Sequence, residues 1–113
     1  MLALQLTPEG VLNEIQLNEN GEGQLEVLQA GVDGWVQAVD LSSDLTLWVN
    51  EEGKLINLPY NPIATLMWEE VFGKGTDIIV GNAVFTGGTG SEGETLGLSE
   101  EVANSIREKV AKW

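Results

Sequence analysis

A chain of 113 residues with 42% hydrophobic content and four tryptophans can bury one modest core, and is too short for separate cofactor and substrate domains. Its 18 acidic residues against 5 basic ones, a net charge of -13, exclude direct binding of DNA, RNA or anionic lipid as an expectation, because polyanions are held by Lys and Arg displacing counterions. The absence of cysteine and histidine removes disulfides, zinc sites, thiol nucleophiles and Ser-His-Asp triads.

In chain order, "LALQL" and "VLNEIQL" read as two short strands around the turn "TPEG", where Pro8 presets φ and Gly10 relieves the backbone. "NENGEG" is a loop by composition. In "QLEVLQAGVDG", Leu25, Leu28 and Val32 recur at helical spacing, with Gly31 placed where a helix C-terminus favours glycine. "WVQAVDL" and "LTLWV" form a hairpin across "SSD", and "NEEGK" turns into an extended "LINLPY" ahead of Pro59. Asn61 then caps a helix with Pro62 at its first position and Ile63, Leu66, Met67 and Val71 on one face, ending at "FGKG". "DIIVGNAVFTGG" reads as a strand from about Asp77, with Gly81 marking a bulge or a close approach. After the loop "GGTGSEGETLG", Ser99 caps a last helix whose acids Glu100 and Glu101 and bases Arg107, Lys109 and Lys112 complement its dipole. This order predicts one α+β domain over residues 1–113, a mainly antiparallel sheet of about five strands with three helices on one face.

The charge is uneven along the chain. Residues 1 to 53 hold ten carboxylates and no basic side chain, so the N-terminal half is a one-sign surface that either favours a basic partner or, as is commoner, serves solubility alone. "MLALQLTPEG" lacks the basic segment of a secretory signal, and no apolar run approaches the roughly 18 residues of a membrane span, which predicts a cytoplasmic protein with no membrane contact.

"GTGSEG", residues 88 to 93, has the G-x-G-x-x-G spacing of a dinucleotide cradle. Such a cradle needs its last glycine to open a helix, and an acid about 20 residues on at the end of a second parallel strand. Here the next cap is Ser99, the chain has no room for that strand, and Glu92 and Glu94 repel phosphate. The stretch is expected to be a mobile acidic loop, able to act as a lid through Thr89 and Ser91. The pairs Glu51–Glu52, Glu69–Glu70 and Glu100–Glu101 point in divergent directions and read as turn or helix surface, so no metal site and no cofactor is expected.

Ligand pockets are apolar with a few placed amides and hydroxyls. Trp35, Asn50, Tyr60, Asn61, Thr65 and Asn82 lie at the ends of apolar elements near Trp48 and Trp68 and are the candidate ligand-binding residues.

The blocks "AGVDGWVQAVDL", "LTLWVNEEGKLINLPYNPIATLMW" and "DIIVGNAVFTGGTGSEGETLGLSEEV" resemble a small domain family of uncharacterised function that recurs in phages and mobile elements, particularly of actinobacteria. The likeness covers roughly residues 25 to 105 and rests on Gly34, the "VNEEGKL" turn, Asn61 with Ala64, and "IVGNAVFTG". It implies a phage context in a bacterial host cytosol and assigns no catalytic residue. The expected function is that of a non-enzymatic accessory protein that blocks a host protein through its acidic surface, plausibly as an anti-defence inhibitor. One alternative is sequestration of a nucleotide-derived signal in a Trp- and Asn-lined pocket, for which Arg107, Lys109 and Lys112 are the available cations. A second is a carboxylate-only, metal-dependent hydrolase using Asp77 or Glu51. Trp113 keeps a homo-oligomer open.

Overall fold

Alternation along Leu2–Leu6 sends Leu4 and Leu6 to one side of a sheet and Ala3 and Gln5 to the other, and this division organises the fold. The computed structural model describes residues 1–113. Its elements are β1 (Leu2–Leu6), β2 (Leu12–Gln16), α1 (Gln24–Val32), β3 (Val36–Ser42), β4 (Leu45–Asn50), α2 (Pro62–Phe72), β5 (Ala83–Thr86) and α3 (Glu100–Lys112). The strands form one antiparallel sheet in the order β2-β1-β5-β4-β3, so two hairpins close on a central strand that arrives late in the chain.

The architecture is the α+β arrangement expected, a five-stranded antiparallel sheet with three helices. The helices, however, occupy both faces. Ile63, Ala64 and Met67 of α2 and Ala103 and Ile106 of α3 pack with Leu4, Leu6, Leu47 and Phe85. On the opposite face, Leu28 and Val32 of α1 pack with Ala3, Leu17 and Val84. All four residues of β5 are consequently buried, Val84 toward α1 and Phe85 toward α2 and α3. Burying a side chain of that size contributes about 1.5–3 kcal/mol, so the unbroken apolar run "AVF" is the signature of a strand covered twice.

Gly31 lies inside α1 rather than beyond its end. A Cβ there would stand 2.8 Å from Val84 Cγ2, so the bare backbone is what lets α1 sit directly on β5. The left-handed residue at the helix end is Asp33, φ 60°, and the N–H of Gly34 closes the turn on the Gln29 carbonyl. The caps of the other helices are as read: Asn61 Oδ1 accepts from Ala64 N–H at 3.2 Å and Ser99 Oγ from Val102 N–H at 3.1 Å.

Two stretches expected to be extended, 55–60 and 77–82, are not strands. The turn expected at "NEEGK" continues through residues 51–57, with Ile56 N–H donating to the Glu52 carbonyl and Leu58 N–H to the Gly53 carbonyl. Residues 77–82 contribute a single bridge, Tyr60 with Val80, before Gly81 at φ 74° turns the chain into β5. Gly81 is also a close approach, since a Cβ would meet Leu58 Cδ1 at 2.7 Å.

Candidate functional site

Three of the six candidate ligand residues are internal and already saturated. Asn61 is fully buried; its Nδ2 donates to the carbonyls of Leu6 at 3.0 Å and Gly81 at 2.9 Å while Oδ1 caps α2. Thr65 Oγ1 donates to the Asn61 carbonyl at 2.8 Å and accepts from Ile79 N–H at 2.9 Å. Asn50 Nδ2 donates to the carbonyls of Val32 and Asp33 at the end of α1, and its Oδ1 accepts from Glu52 N–H at 2.8 Å. These amides splice elements together, which buried polar groups must do to offset their desolvation.

The other three stay near the surface and do not converge. Asn82 borders a depression with Pro8, Glu9, Asp33 and Gly81, and its amide is 3.5 Å from Asp33 Oδ2. Trp35 and Tyr60 are 62% and 53% exposed and line no cavity. The neighbouring indoles are committed to the fold: Trp48 Nε1 donates to Thr86 Oγ1 at 2.8 Å, and Trp68 Nε1 to Thr76 Oγ1 at 2.9 Å.

A different region offers surface for recognition. The coiled turns of 51–58 face the segment 75–80 across two adjoining hollows, of about 110 Å³ and 470 Å³, that share Lys54, Asp77, Ile78 and Val80. The smaller adds Gln37, Val49, Asn50, Glu51, Leu55 and Ile79; the larger adds Asn57, Leu58 and Gly75. Lys54 Nζ is paired with Asp77 Oδ1, and Ile78 N–H also donates to that oxygen. The Lys54 bond holds the Asp77 carboxyl below its ordinary range, against a smaller opposing effect of burial. Around the hollows, Leu55 is 82% exposed, Ile56 55% and Ile78 54%. Trp35 adjoins them, because its carbonyl accepts from Glu51 N–H. Large apolar side chains left in water together need an explanation outside the fold. Sequence reading missed them because "LINLPY" and "DIIV" have the composition of buried strands; the cue was Gly53 and Asn57, turn residues that interrupt the pleat.

Asp77 and Glu51 line the same hollow, as a carboxylate site would require, yet Lys54 already occupies Asp77. Two of the three cations of α3 are similarly engaged. Arg107 bonds Glu14 at 3.2 Å and approaches Glu100 at 3.8 Å, while Lys109 bonds Glu70 at 2.8 Å, so the two point to different neighbours. The glycine-rich stretch folds back on itself: Gly87 N–H donates to the Leu96 carbonyl, Leu96 N–H to that of Gly88, and Gly90 N–H to that of Glu94. Gly87 and Gly88 serve tight backbone contact, since a Cβ would fall 2.2 Å from the Gly97 carbonyl oxygen and 2.0 Å from that of Ser43, respectively. No helix is long and apolar enough to cross a membrane.

Fold and surface together define an acidic α+β domain whose distinguishing feature is an exposed apolar cluster among carboxylates. A family model described as Domain of unknown function (DUF3846) matches residues 1–111, and the chain belongs to that family. No curated protein and no solved structure matches it.

Proposed function

We propose that this protein is a non-enzymatic binding protein that engages a basic protein partner with the surface formed by Trp35, Gln37, the 51–58 turns and residues 77–80. In the phage or mobile-element context suggested by the sequence resemblance, the partner is a host protein in the bacterial cytosol, one of antiviral defence, and engagement blocks it. The observation that carries this reading is the exposure of Leu55, Ile56 and Ile78 beside Glu51 and Glu52. Apolar anchors set among charges of one sign are the composition of a docking patch, with the anchors supplying affinity and the carboxylates speeding encounter with a cation-bearing surface. The 16 carboxylates outside the hollow's Glu51 and Asp77 add a long-range field of the same sign.

The test is capture from a bacterial host lysate with the unaltered protein, Leu55→Ser with Ile78→Ser, and Glu51→Gln with Glu52→Gln, at low and high salt. The expected result is one retained protein, lost in the apolar double variant and weakened both by salt and by the charge variant. Retention indifferent to all three changes refutes the reading. Thermal stabilisation by a cyclic or linear nucleotide without turnover would establish sequestration in its place, and turnover dependent on a divalent metal would establish a hydrolase.

A further inference from the structure

The sheet has two edges, and they differ. Trp35 and Glu51 bond across β3 and β4, which puts the main-chain groups of Trp35, Gln37 and Val39 toward β4. Those of Val36, Ala38 and Asp40 therefore point away from the sheet, and no residue outside it bonds to them. Three N–H donors and three carbonyl acceptors lie in a row along this edge. On the other edge, β2 is five residues long against seven, and Arg107 of α3 reaches across to Glu14.

Exposed edges in monomeric proteins are commonly blunted with lysine or proline, and β3 contains neither. The irregularity between Asp40 and Ser42 ends regular pairing but leaves Val36 to Asp40 open, and the one charge on the strand, Asp40, repels a like edge without barring a basic one. Beside the edge stand the exposed carboxylates of Asp40 on β3 itself, of Asp44 in the turn to β4, and of Glu51, whose N–H bonds the Trp35 carbonyl. The chain has no cation before Lys54, and Lys54 is held by Asp77. Trp35, at the mouth of the strand, offers a flat apolar ring.

We propose that β3 is a docking edge on which an extended, Lys- or Arg-bearing segment of the partner adds as a sixth strand. The main-chain row supplies binding that is independent of side-chain identity, and the surrounding carboxylates select a basic segment. A second copy of this chain is disfavoured as the occupant, because it would bring another net charge of -13 and another Asp40 to the same edge. This inference rests on the binding reading above and specifies how the partner is held.

The probe is a labelled seven-residue peptide of alternating Lys and Val, compared with a twin of equal charge whose backbone amides are N-methylated and can donate nothing. With the unaltered protein, the methylated twin binds roughly tenfold or more weakly, because several main-chain hydrogen bonds are lost together. The N–H groups of Val36, Ala38 and Asp40, open in the free protein, gain protection from hydrogen exchange in the complex. Ala38→Pro removes an outward donor while leaving the β4 ladder intact and weakens the peptide similarly. Equal binding of the two peptides, or unchanged exchange at those three amides, overturns the edge proposal. Should the lysate partner be lost with Leu55→Ser and Ile78→Ser yet retained by Ala38→Pro, the binding reading stands and the edge fails. Loss of neither refutes both. A dimer of the unaltered protein that Ala38→Pro converts to monomer would assign the edge to a second copy and also overturn the proposal.

Discussion

Replacing Asn61 by Asp changes one nitrogen to one oxygen at a fully buried position, and the structure makes it a severe substitution. The cap is preserved, since a carboxylate oxygen can accept from Ala64 N–H as Oδ1 does at 3.2 Å. The other atom faces the carbonyls of Leu6 at 3.0 Å and Gly81 at 2.9 Å, to which it can no longer donate. Two lost buried hydrogen bonds cost about 0.5–1.5 kcal/mol each, and a buried carboxylate set against two carbonyl oxygens adds a repulsion of similar size, so a loss of roughly 3–5 kcal/mol at neutral pH is expected. That is a large share of the roughly 5–15 kcal/mol typical of a domain. At about 4 °C per kcal/mol for a chain of this length, Tm falls by roughly 12–20 °C. The sign of the pH dependence is specific. Burial and facing carbonyls raise the new carboxyl's pKa in the folded state, so its penalty is smallest below the ordinary carboxylate range and grows as pH rises through and above it. Thermal melts of Asn61→Asp and Asn61→Ala across pH separate the effects: both are destabilised, but only the former recovers in acid relative to the unaltered protein. An Asn61→Asp protein melting within a few degrees of the original at neutral pH would refute this account of the joint.

Other expectations follow from single contacts. Gly31→Ala places a methyl 2.8 Å from Val84 Cγ2 and should cost about 1–3 kcal/mol by overpacking, with partial recovery in combination with Val84→Ala, measured by denaturant midpoints. Gly88→Ala sets a Cβ against the Ser43 carbonyl, so the 86–98 hairpin should separate from the β3–β4 turn and become the first site of limited proteolysis. Lys54→Met removes an exposed ion pair that contributes about 0.2–1 kcal/mol at neutral pH. Because the Asp77 pKa is lowered in the folded protein, that contribution is present above the ordinary carboxylate range and fades as pH falls through the lowered value; the original and the variant should converge in acid. Leu55→Ser alone should leave Tm within a degree or so, since its side chain is 82% exposed, while reducing partner capture.

The elements whose causes are local were legible in the residues themselves. Asn61 with Pro62, and Ser99 with the acids after it, specify helix starts through bonds closed within four residues, so α2 and α3 begin where they were expected. The hairpins β1–β2 and β3–β4 depend on alternation and short turns, which are equally local. Composition likewise determined the acidic field and ruled out thiol, imidazole and zinc chemistry. What required the tertiary structure was every assignment that depends on what lies across the chain. Asn50, Asn61 and Thr65 have the chemistry of pocket walls, yet their bonds run to Val32, Leu6 and Ile79, partners far away in sequence. Gly31 looked like a helix end until Val84 was set against it. Leu55, Ile56 and Ile78 carry a buried composition but stay in water because the turns at 51–57 and the bend at Gly81 lift them off the sheet. Capping and alternation are short-range forces written in adjacent residues, whereas burial is a property of the packed whole. The candidate surface could therefore be read only once the two hairpins had closed on β5.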